Sequence, residues 1–231
     1  MIKLENVRKV YQTKGGPLEV LKGVDVEVHR GEFVAIVGPS GSGKSTLINM
    51  ITGIDRPTTG EVYVGGKRLT NLSENAVAKW RGKNVGVVFQ FFQLLPTLTV
   101  IENVLMPMNY ANTFTGQRRE RAMELLDMVG LYDVAHKYPS QISGGQQQRA
   151  AIARALANDP EVIVGDEPTG NLDIISAALM FELFEELVEN GKTIVLVTHD
   201  RELAGQVPRV IEVRDGHVLN GTEVDNRLVT R

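Results

Sequence analysis

The chain has 231 residues, of which 42% are hydrophobic, and a formal net charge of −3, a composition that suits one large domain or two small ones with an ordinary buried core. It contains no cysteine, which excludes disulfides and thiolate metal sites and fits a reducing cytosol, although many exported proteins also lack cysteine. The residues after Met1 do not have the pattern of a secretion signal, and no apolar run approaches about 20 residues, so we expect a soluble chain without a membrane span. Basic residues form only short clusters such as Gln117-Arg118-Arg119, so we expect no nucleic acid partner.

Two segments near the N-terminus alternate apolar and polar residues. They run from Ile2 to Val7 and from Leu18 to Val28, and the turn residues Lys14-Gly15-Gly16-Pro17 lie between them. Such alternation is typical of half-buried strands. We predict that the two segments form a small antiparallel β layer beside the loop that follows.

A glycine-rich loop comes next, between the apolar run Phe33 to Val37 and a helical segment that includes Leu47. Strand, loop and helix in this order are the context that the Walker A motif requires, and the loop binds phosphate through its backbone N–H groups and the start of the helix. In such loops the lysine, here Lys44, reaches the β- and γ-phosphates, and the hydroxyl of Ser45 holds Mg²⁺. We therefore predict a nucleoside triphosphate site, with a glycine-rich turn without a ligand as the alternative. The residues predicted to hold the nucleotide are Gly38, Ser40, Gly41, Gly43, Lys44, Ser45 and Thr46.

Five later segments have the apolar character of strands. They are Glu61 to Val64, Val85 to Phe89, Val162 to Val164, Thr193 to Val197 and Val210 to Val213. Several are apolar on both faces, as parallel strands of an α/β sheet are. After the last of them, Asp215-Gly216 suits a tight hairpin turn, and the polar residues 222–231 are expected to fray.

The stretch from Phe91 to Asp159 differs from its surroundings because its pattern is helical. An early helix start is marked by Thr99-Val100-Ile101-Glu102, which has the form of a capping box. We predict that residues 91–159 form a mostly helical subdomain inserted into the sheet. The whole chain, 1–231, is then one α/β domain, in which residues 1–90 and 160–231 form the parallel-sheet core together with the antiparallel β subdomain.

Two adjacent carboxylates, Asp166 and Glu167, follow the apolar strand Val162 to Val164. The end of a parallel strand is where such a sheet places its ligand. Asp166 suits Mg²⁺, and Glu167 suits a base that orients and deprotonates the water attacking a γ-phosphate. A solvated strand end is the alternative for the pair alone, and the presence of the phosphate loop favours the functional interpretation.

A second anion site is predicted at Ile142-Ser143-Gly144-Gly145-Gln146, ahead of a strong helix-forming segment. Ser143 lies at a natural N-cap position. A hydroxyl, two glycines and a helix N-terminus together suit an anion. A capped helix without a ligand is the alternative for this segment alone.

These motifs together resemble the nucleotide-binding subunit of ATP-binding cassette (ABC) transporters, over essentially the whole chain. The resemblance implies the P-loop NTPase (RecA-like) fold and the hydrolysis of ATP with Mg²⁺. It also implies a head-to-tail dimer of two copies, in which the signature residues Ser143–Gln146 of one copy bind the γ-phosphate of ATP held by the other. Ile142 and Gly165 stand where the family more often has leucine and alanine, and neither change removes a reacting group.

Four further positions match the family individually. Tyr11 resembles the aromatic residue that stacks on adenine. Gln90 resembles the Q-loop glutamine, which takes part in hydrolysis and binds the metal ion. Asp173 matches the D-loop residue at the partner subunit, and His199 matches the switch histidine that contacts the γ-phosphate. A half-buried aromatic and a surface amide are the alternatives for Tyr11 and Gln90.

The position of His199 at the end of a predicted strand indicates its role. It follows the strand Thr193 to Val197, and a lone histidine after a strand is usually structural. Here the strand would end at the same sheet edge as Asp166 and Glu167. We therefore expect all three side chains to converge on one phosphate.

Three classes of protein compete for this pattern: the motor subunit of a membrane transporter, a soluble ABC ATPase of DNA repair or translation, and an unrelated phosphoryl-transfer enzyme such as a kinase. Repair ATPases that resemble this family carry a long coiled coil before the signature, whereas the segment between Gln90 and the signature in this chain has no sustained heptads. Translation ATPases carry two cassettes in one chain, whereas this chain shows one set of motifs. A kinase would not explain Ser143–Gln146. The transporter subunit is therefore favoured.

The segments Val88–Pro96 and Gly170–Asp173 look most like the bacterial lipoprotein-release, macrolide-efflux and cell-division branch, which indicates an efflux or mechanotransmission motor. An amino-acid-type importer motor is the alternative. Such a motor needs an integral membrane partner, which we expect to dock near the helical subdomain, on the apolar stretch Phe91 to Leu98, although core packing would explain the same residues. The chain would then lie at the cytoplasmic face of the cell membrane, held there by its partner.

Overall fold

The computed structural model describes residues 1–219, which form two compact units. The first unit comprises Met1–Val77 and the chain from Thr193 onwards, and the second comprises Ala78–Lys192. The predicted division of the chain at residues 91 and 159 stays a prediction. The predicted fraying of residues 222–231 lies outside the described residues.

Strands and helices alternate along much of the described chain. The strands are β1 (Ile2–Thr13), β2 (Gly16–Val28), β3 (Phe33–Val37), β4 (Thr59–Val64), β5 (Lys67–Arg68), β6 (Val85–Phe89), β7 (Val162–Asp166), β8 (Thr193–Val197), β9 (Arg209–Arg214) and β10 (His217–Leu219). The α-helices are α1 (Lys44–Thr52), α2 (Glu74–Asn84), α3 (Val100–Ala111), α4 (Arg118–Met128), α5 (Gly144–Leu156), α6 (Ile174–Glu189) and α7 (Arg201–Ala204). Among the helices of residues 1–219, none has the length and apolar character that crossing a membrane requires.

One sheet of the first unit is antiparallel, with the strand order β2-β1-β4-β5. Ile2 pairs with Val28 in β2 and with Val64 in β4, which confirms the predicted antiparallel layer. β1 continues beyond the predicted end at Val7 because a shift in register there interrupts the alternation without ending the strand.

Parallel strands also occur in the first unit, where β3 lies between β9 and β8. Val34 in β3 pairs with Val195 on one side and Arg209 on the other, and β3 and β8 have the predicted bounds. β9 and β10 form an antiparallel hairpin. Its turn, Asp215-Gly216, has φ of 49° and 80°, which is typical of a type I′ turn and confirms the predicted hairpin.

The second unit contains the parallel pair β6 and β7, together with most of the helices. Residues 91–159, all of which are described, contain α3, α4, α5 and two short 3₁₀ turns but no strand, as the helical pattern predicts. α3 begins at the predicted capping box: the Thr99 hydroxyl accepts from the Glu102 N–H, and the Glu102 carboxylate accepts from the Thr99 N–H at 2.8 Å.

Candidate nucleotide site

The glycine-rich loop of the first unit joins the end of β3 to the start of α1. Gly38 has a φ of 155°, and a Cβ at this position would lie 2.0 Å from the carbonyl oxygen of Val213, so only glycine fits. Gly43 has a φ of 109° and is the N-cap of α1, without a side-chain hydrogen bond to the first turn. Because glycine has no side chain that could cap the helix, Gly43 does not compete with an anion for the first N–H groups of α1.

Lys44 is buried at the start of this helix. Its Nζ donates to the carbonyl oxygens of Gly38 at 2.8 Å and Pro39 at 3.0 Å. An ammonium group that leaves water needs acceptors, and the loop backbone supplies them. The side chain is thereby folded over the loop. Ser45 is exposed and Thr46 is half-buried in the following positions.

Tyr11 lies on β1 in the same unit and has one contact at its hydroxyl and one over the face of its ring. Its hydroxyl donates to Asp55 Oδ2 at 2.8 Å, and the ammonium group of Lys9 lies 4.7 Å from the ring centroid. Burial, followed by the hydrogen bond to Asp55, raises the pKa of Tyr11. Burial also raises the pKa of Asp55, but hydrogen bonds from Lys9 and Tyr11 outweigh it, so that the net shift is downward. The ring is thus fixed in orientation, and its contact with adenine stays a prediction.

His199 comes two residues after the end of β8, in the first unit. The register of the parallel pair places Ile36 of β3 beside Val197 of β8, and the Thr198 N–H donates to the Ile36 carbonyl oxygen at 3.1 Å. The exposed His199 therefore lies at the same sheet edge as the start of the glycine-rich loop. The first unit brings together these two predicted elements.

Three predicted residues, Gln90, Asp166 and Glu167, lie at the ends of β6 and β7 in the second unit. Phe89 pairs with Asp166, so Gln90 and Glu167 follow at the same edge. Glu167 has a φ of 50°, a left-handed conformation that is uncommon outside glycine and concentrates at functional sites. Sequence reasoning did not predict this conformation. The convergence of these side chains with His199 on one phosphate stays a prediction.

Gln90 is packed against the D-loop segment. A Cβ at Gly170 would lie 2.7 Å from Gln90 Nε2, and Asn171 Nδ2 donates to the Gln90 carbonyl oxygen at 2.9 Å. The glycine therefore leaves room for the Gln90 amide. This contact was not expected from the sequence, because it joins segments that are distant along the chain.

Ser143 caps α5, as predicted. Its hydroxyl accepts from the Gln146 N–H at 3.2 Å, and Gln146 Oε1 accepts from the Ser143 N–H at 2.9 Å, which completes a capping box. A Cβ at Gly145 would lie 2.6 Å from the hydroxyl of Ser176. The signature segment therefore packs closely on the first turn of α6.

Asp173 is the N-cap of α6. Its carboxylate accepts from the Ser176 N–H at 2.9 Å and from the Ser176 hydroxyl at 2.7 Å, and these hydrogen bonds lower the pKa of Asp173. Ser176 thus touches both the D-loop residue and the signature glycine. Sequence reasoning missed Ser176 because nothing along the chain connects it to Gly145.

Gln148 is a second residue that sequence reasoning missed. It is fully buried on α5, and its Nε2 donates to the carbonyl oxygen of Pro168 at 2.6 Å. The helical period offers a signal, because Gln148 shares a face with Ala151, Ile152 and Leu156, all of them buried. A polar residue on such a face usually has a specific hydrogen-bond partner.

The comparisons with known proteins agree with the family resemblance that the sequence motifs indicate. Residues 21–170 match the family model described as ABC transporter, and the chain belongs to this family. An uncharacterized ABC transporter ATP-binding protein of Thermotoga maritima is 48% identical over 218 residues, which cover 94% of this chain and 93% of that protein. The chain is therefore an ATP-binding cassette of the ABC transporter class.

Two further similarities bear on assembly. The pyoverdine export ATP-binding/permease protein PvdT of Pseudomonas fluorescens is 47% identical over 96% of this chain but only 34% of its own length. The solved dimeric, post-hydrolysis state of the ATP-binding cassette MJ0796 with ADP and Pi has a TM-score of 0.90 and 44% identity, covering 96% of this chain and 98% of that one. This similarity confirms the predicted P-loop NTPase fold.

Proposed function

We propose that the chain is the ATP-hydrolysing motor subunit of a bacterial ABC transporter and that it works as a head-to-tail dimer of two cassettes. One observation carries the proposal: each unit has a glycine-rich helix start that suits an anion, the loop before α1 and the Ser143-capped start of α5. One nucleotide needs only one such element. The dimeric state of the solved cassette that this chain resembles supports a second copy as the partner.

ATP would be held by one copy and closed in by the other. Tyr11 would stack on adenine, and the loop with Lys44 would bind the phosphates. The signature residues Ser143–Gln146 and the D-loop residue Asp173 would come from the second copy. Because the γ-phosphate would contact both copies, its loss would open the dimer and return the membrane subunit to its starting state.

Hydrolysis would use four side chains in three roles. Glu167 would orient and deprotonate the attacking water, a role that requires a carboxylate. Lys44 and His199 would stabilise the charge that develops on the transferring phosphoryl group. Gln90 would help to place the water.

The residues predicted to hold Mg²⁺ fit this ion by the chemistry of their donors. Ser45, Gln90 and Asp166 offer a hydroxyl, an amide oxygen and a carboxylate, and Mg²⁺ prefers such oxygen ligands in small number beside substrate phosphates. When bound, the ion would neutralise charge on the β- and γ-phosphates. Gln90 and Asp166 lie at one sheet edge of the second unit.

Gly170→Ala tests the placement of Gln90. The added methyl group would lie 2.7 Å from Gln90 Nε2, so the flexible amide has to move, and we expect the ATP hydrolysis rate to fall roughly 10-fold with little change in thermal stability. Gly82→Ala is the matched control, because no described atom lies within 4 Å of a Cβ there. A hydrolysis rate of Gly170→Ala equal to that of Gly82→Ala would contradict the proposed role of Gln90.

The type of transporter is inferred from the relatives. In PvdT, whose name describes export, an ATP-binding segment similar to this chain is joined to a permease. This supports an efflux or mechanotransmission motor with a separate integral membrane subunit, which would hold the cassette at the cytoplasmic face of the membrane. An amino-acid-type importer motor is the second candidate, and a soluble ABC ATPase without a transport role is the third.

A groove between α2 and α3 supports a docking surface for that subunit. It has a volume of about 650 Å³ and is lined by Trp80, Pro107 and Tyr110, with Lys79 and Lys83 beside them. Tyr110 is 85% exposed, which is unusual for a large aromatic side chain. We propose that a short cytoplasmic helix of the membrane subunit docks here. The lining of the groove includes no residue of the stretch Phe91 to Leu98 that was predicted from the sequence.

A pull-down from gently solubilised native membranes tests the partner. The bait is tagged Glu167→Gln protein with ATP, and the co-purifying integral proteins are identified by mass spectrometry. A protein with few spans and a large extracytoplasmic domain would support the mechanotransmission motor, and a multi-span permease would favour import. Recovery of no membrane protein, with ATP-dependent dimerisation intact, would contradict the transport role.

A second bait, which differs from the first at one residue of the groove, tests whether the groove is the docking surface. Tyr110→Arg in the Glu167→Gln background changes a highly exposed side chain, so the protein is expected to fold and to form its ATP-dependent dimer. We expect recovery of the membrane subunit to fall severalfold. Equal recovery with both baits would place the docking surface elsewhere.

A further inference from the structure

Gln148 is a buried amide that none of the roles proposed above uses. Its Nε2 donates to the carbonyl oxygen of Pro168 at 2.6 Å and, more weakly, to that of Phe89 at 3.4 Å. Pro168 directly follows Glu167, and Phe89 directly precedes Gln90. One side chain on the signature helix α5 therefore holds the backbone beside two residues that hydrolysis would use.

The orientation of this amide follows from its two acceptors. Turning it over would set Oε1 against two carbonyl oxygens, which is unfavourable. In the observed orientation, Gln148 Oε1 has no hydrogen-bond partner among residues 1–219. A buried unpaired acceptor destabilises the fold, and an apolar side chain would avoid it. The amide at this position is therefore better explained by the carbonyls that it holds than by packing.

A second side chain ties the same two segments together. Asn171 Nδ2 donates to the Gln90 carbonyl oxygen at 2.9 Å, and Asn171 lies in the segment that follows Pro168. Gln148 and Asn171 thus connect the end of β6 with the turn after β7. Gln148 also connects both of them with α5.

We propose that Gln148 is a positioning residue for ATP hydrolysis, which holds the turn carrying Glu167 and the strand end carrying Gln90 in register with the signature helix. This inference rests on the proposed ATPase function. Gln148 acts through Glu167 and Gln90, so its loss changes the rate of hydrolysis and leaves the affinity for ATP unchanged. Asn171 supports the same register.

Gln148→Met is the direct test, because methionine has a similar length and removes both hydrogen bonds together with the unpaired acceptor. We expect kcat to fall about 10-fold or more, with KM for ATP within about two-fold of the wild-type value and with no loss of thermal stability. Gln147→Met is the control on the same helix, because Gln147 is half-buried and its side chain makes one hydrogen bond within residues 1–219, a long one of 3.4 Å to the Ile142 carbonyl oxygen. We expect it to keep the wild-type kcat.

The possible outcomes separate the inference from the function on which it rests. Wild-type protein without ATPase activity would overturn the proposed function and the inference with it. An active wild type with an unchanged kcat for Gln148→Met would overturn the inference alone. If Gln148→Met does not fold, the exposed residue Asn171 takes over the test: Asn171→Ala is expected to lower kcat at unchanged KM, and an unchanged kcat would overturn the inference.

Discussion

Glu167→Gln is expected to bind ATP, to hydrolyse it about 100-fold more slowly or worse, and to accumulate as a dimer in ATP and Mg²⁺. Glutamine keeps the size of the side chain but cannot accept a proton from water. The γ-phosphate then stays in place, and with it the contact that both copies would share. Size-exclusion chromatography with light scattering gives the mass, and extraction of the bound nucleotide gives its amount.

Glu182→Gln is the matched control for this result. Glu182 lies on the exposed face of α6, so the same change of charge leaves the site intact, and we expect wild-type hydrolysis without a stable dimer. A Glu167→Gln protein that elutes as a monomer while ATP is bound would contradict the shared-site model. A Glu167→Gln protein that hydrolyses ATP at the wild-type rate would contradict the assigned base.

Lys44→Ala is expected to weaken ATP binding itself, by roughly 100-fold. The ammonium group is buried over the loop and bound to the carbonyl oxygens of Gly38 and Pro39, and in the proposed site it would bind phosphate oxygens. A charge-assisted hydrogen bond of this kind contributes about 1.5–3 kcal/mol, and about 2.7 kcal/mol corresponds to 100-fold in affinity. Isothermal titration with ATP and Mg²⁺ measures the effect.

Lys67→Ala is the control for Lys44→Ala, because Lys67 is exposed on β5 in the same unit. Its loss changes the net charge equally and removes no contact with the loop. We expect its affinity for ATP to match the wild type. Equal affinities of Lys44→Ala and the wild type would contradict the role assigned to Lys44.

The sequence predicted the parts of the fold that short-range pattern determines. β3, β6 and β8 have the predicted bounds because each is a short, largely apolar run with a polar residue or a glycine on either side. The caps at Thr99 and Ser143 were also predicted, since a capping box depends on residues only three positions apart. The register shift near Val7 was missed because the alternation on which the strand prediction rested breaks there.

Contacts between distant segments account for what the sequence could not predict at the candidate site. Ser176 touches Gly145, and Gln148 reaches Pro168, and neither pair is marked by spacing along the chain. The left-handed backbone of Glu167 belongs to the same group. The motif residues indicate the chemistry, whereas these contacts determine the positions of the motif residues in the fold.

Cross-linking between two differently tagged copies tests the central claim most directly. Since the chain has no cysteine, single cysteines can be placed at Pro39 in the loop, which is not among the residues predicted to hold the nucleotide, and at Gln141 before the signature, both exposed. Each is introduced into Glu167→Gln, the two proteins are mixed with ATP and Mg²⁺, and a short bismaleimide is added. The head-to-tail dimer predicts cross-links between Pro39→Cys and Gln141→Cys copies, and none when either variant is treated alone. An ATP-dependent dimer that cross-links within one variant, and not between the two, would contradict the account.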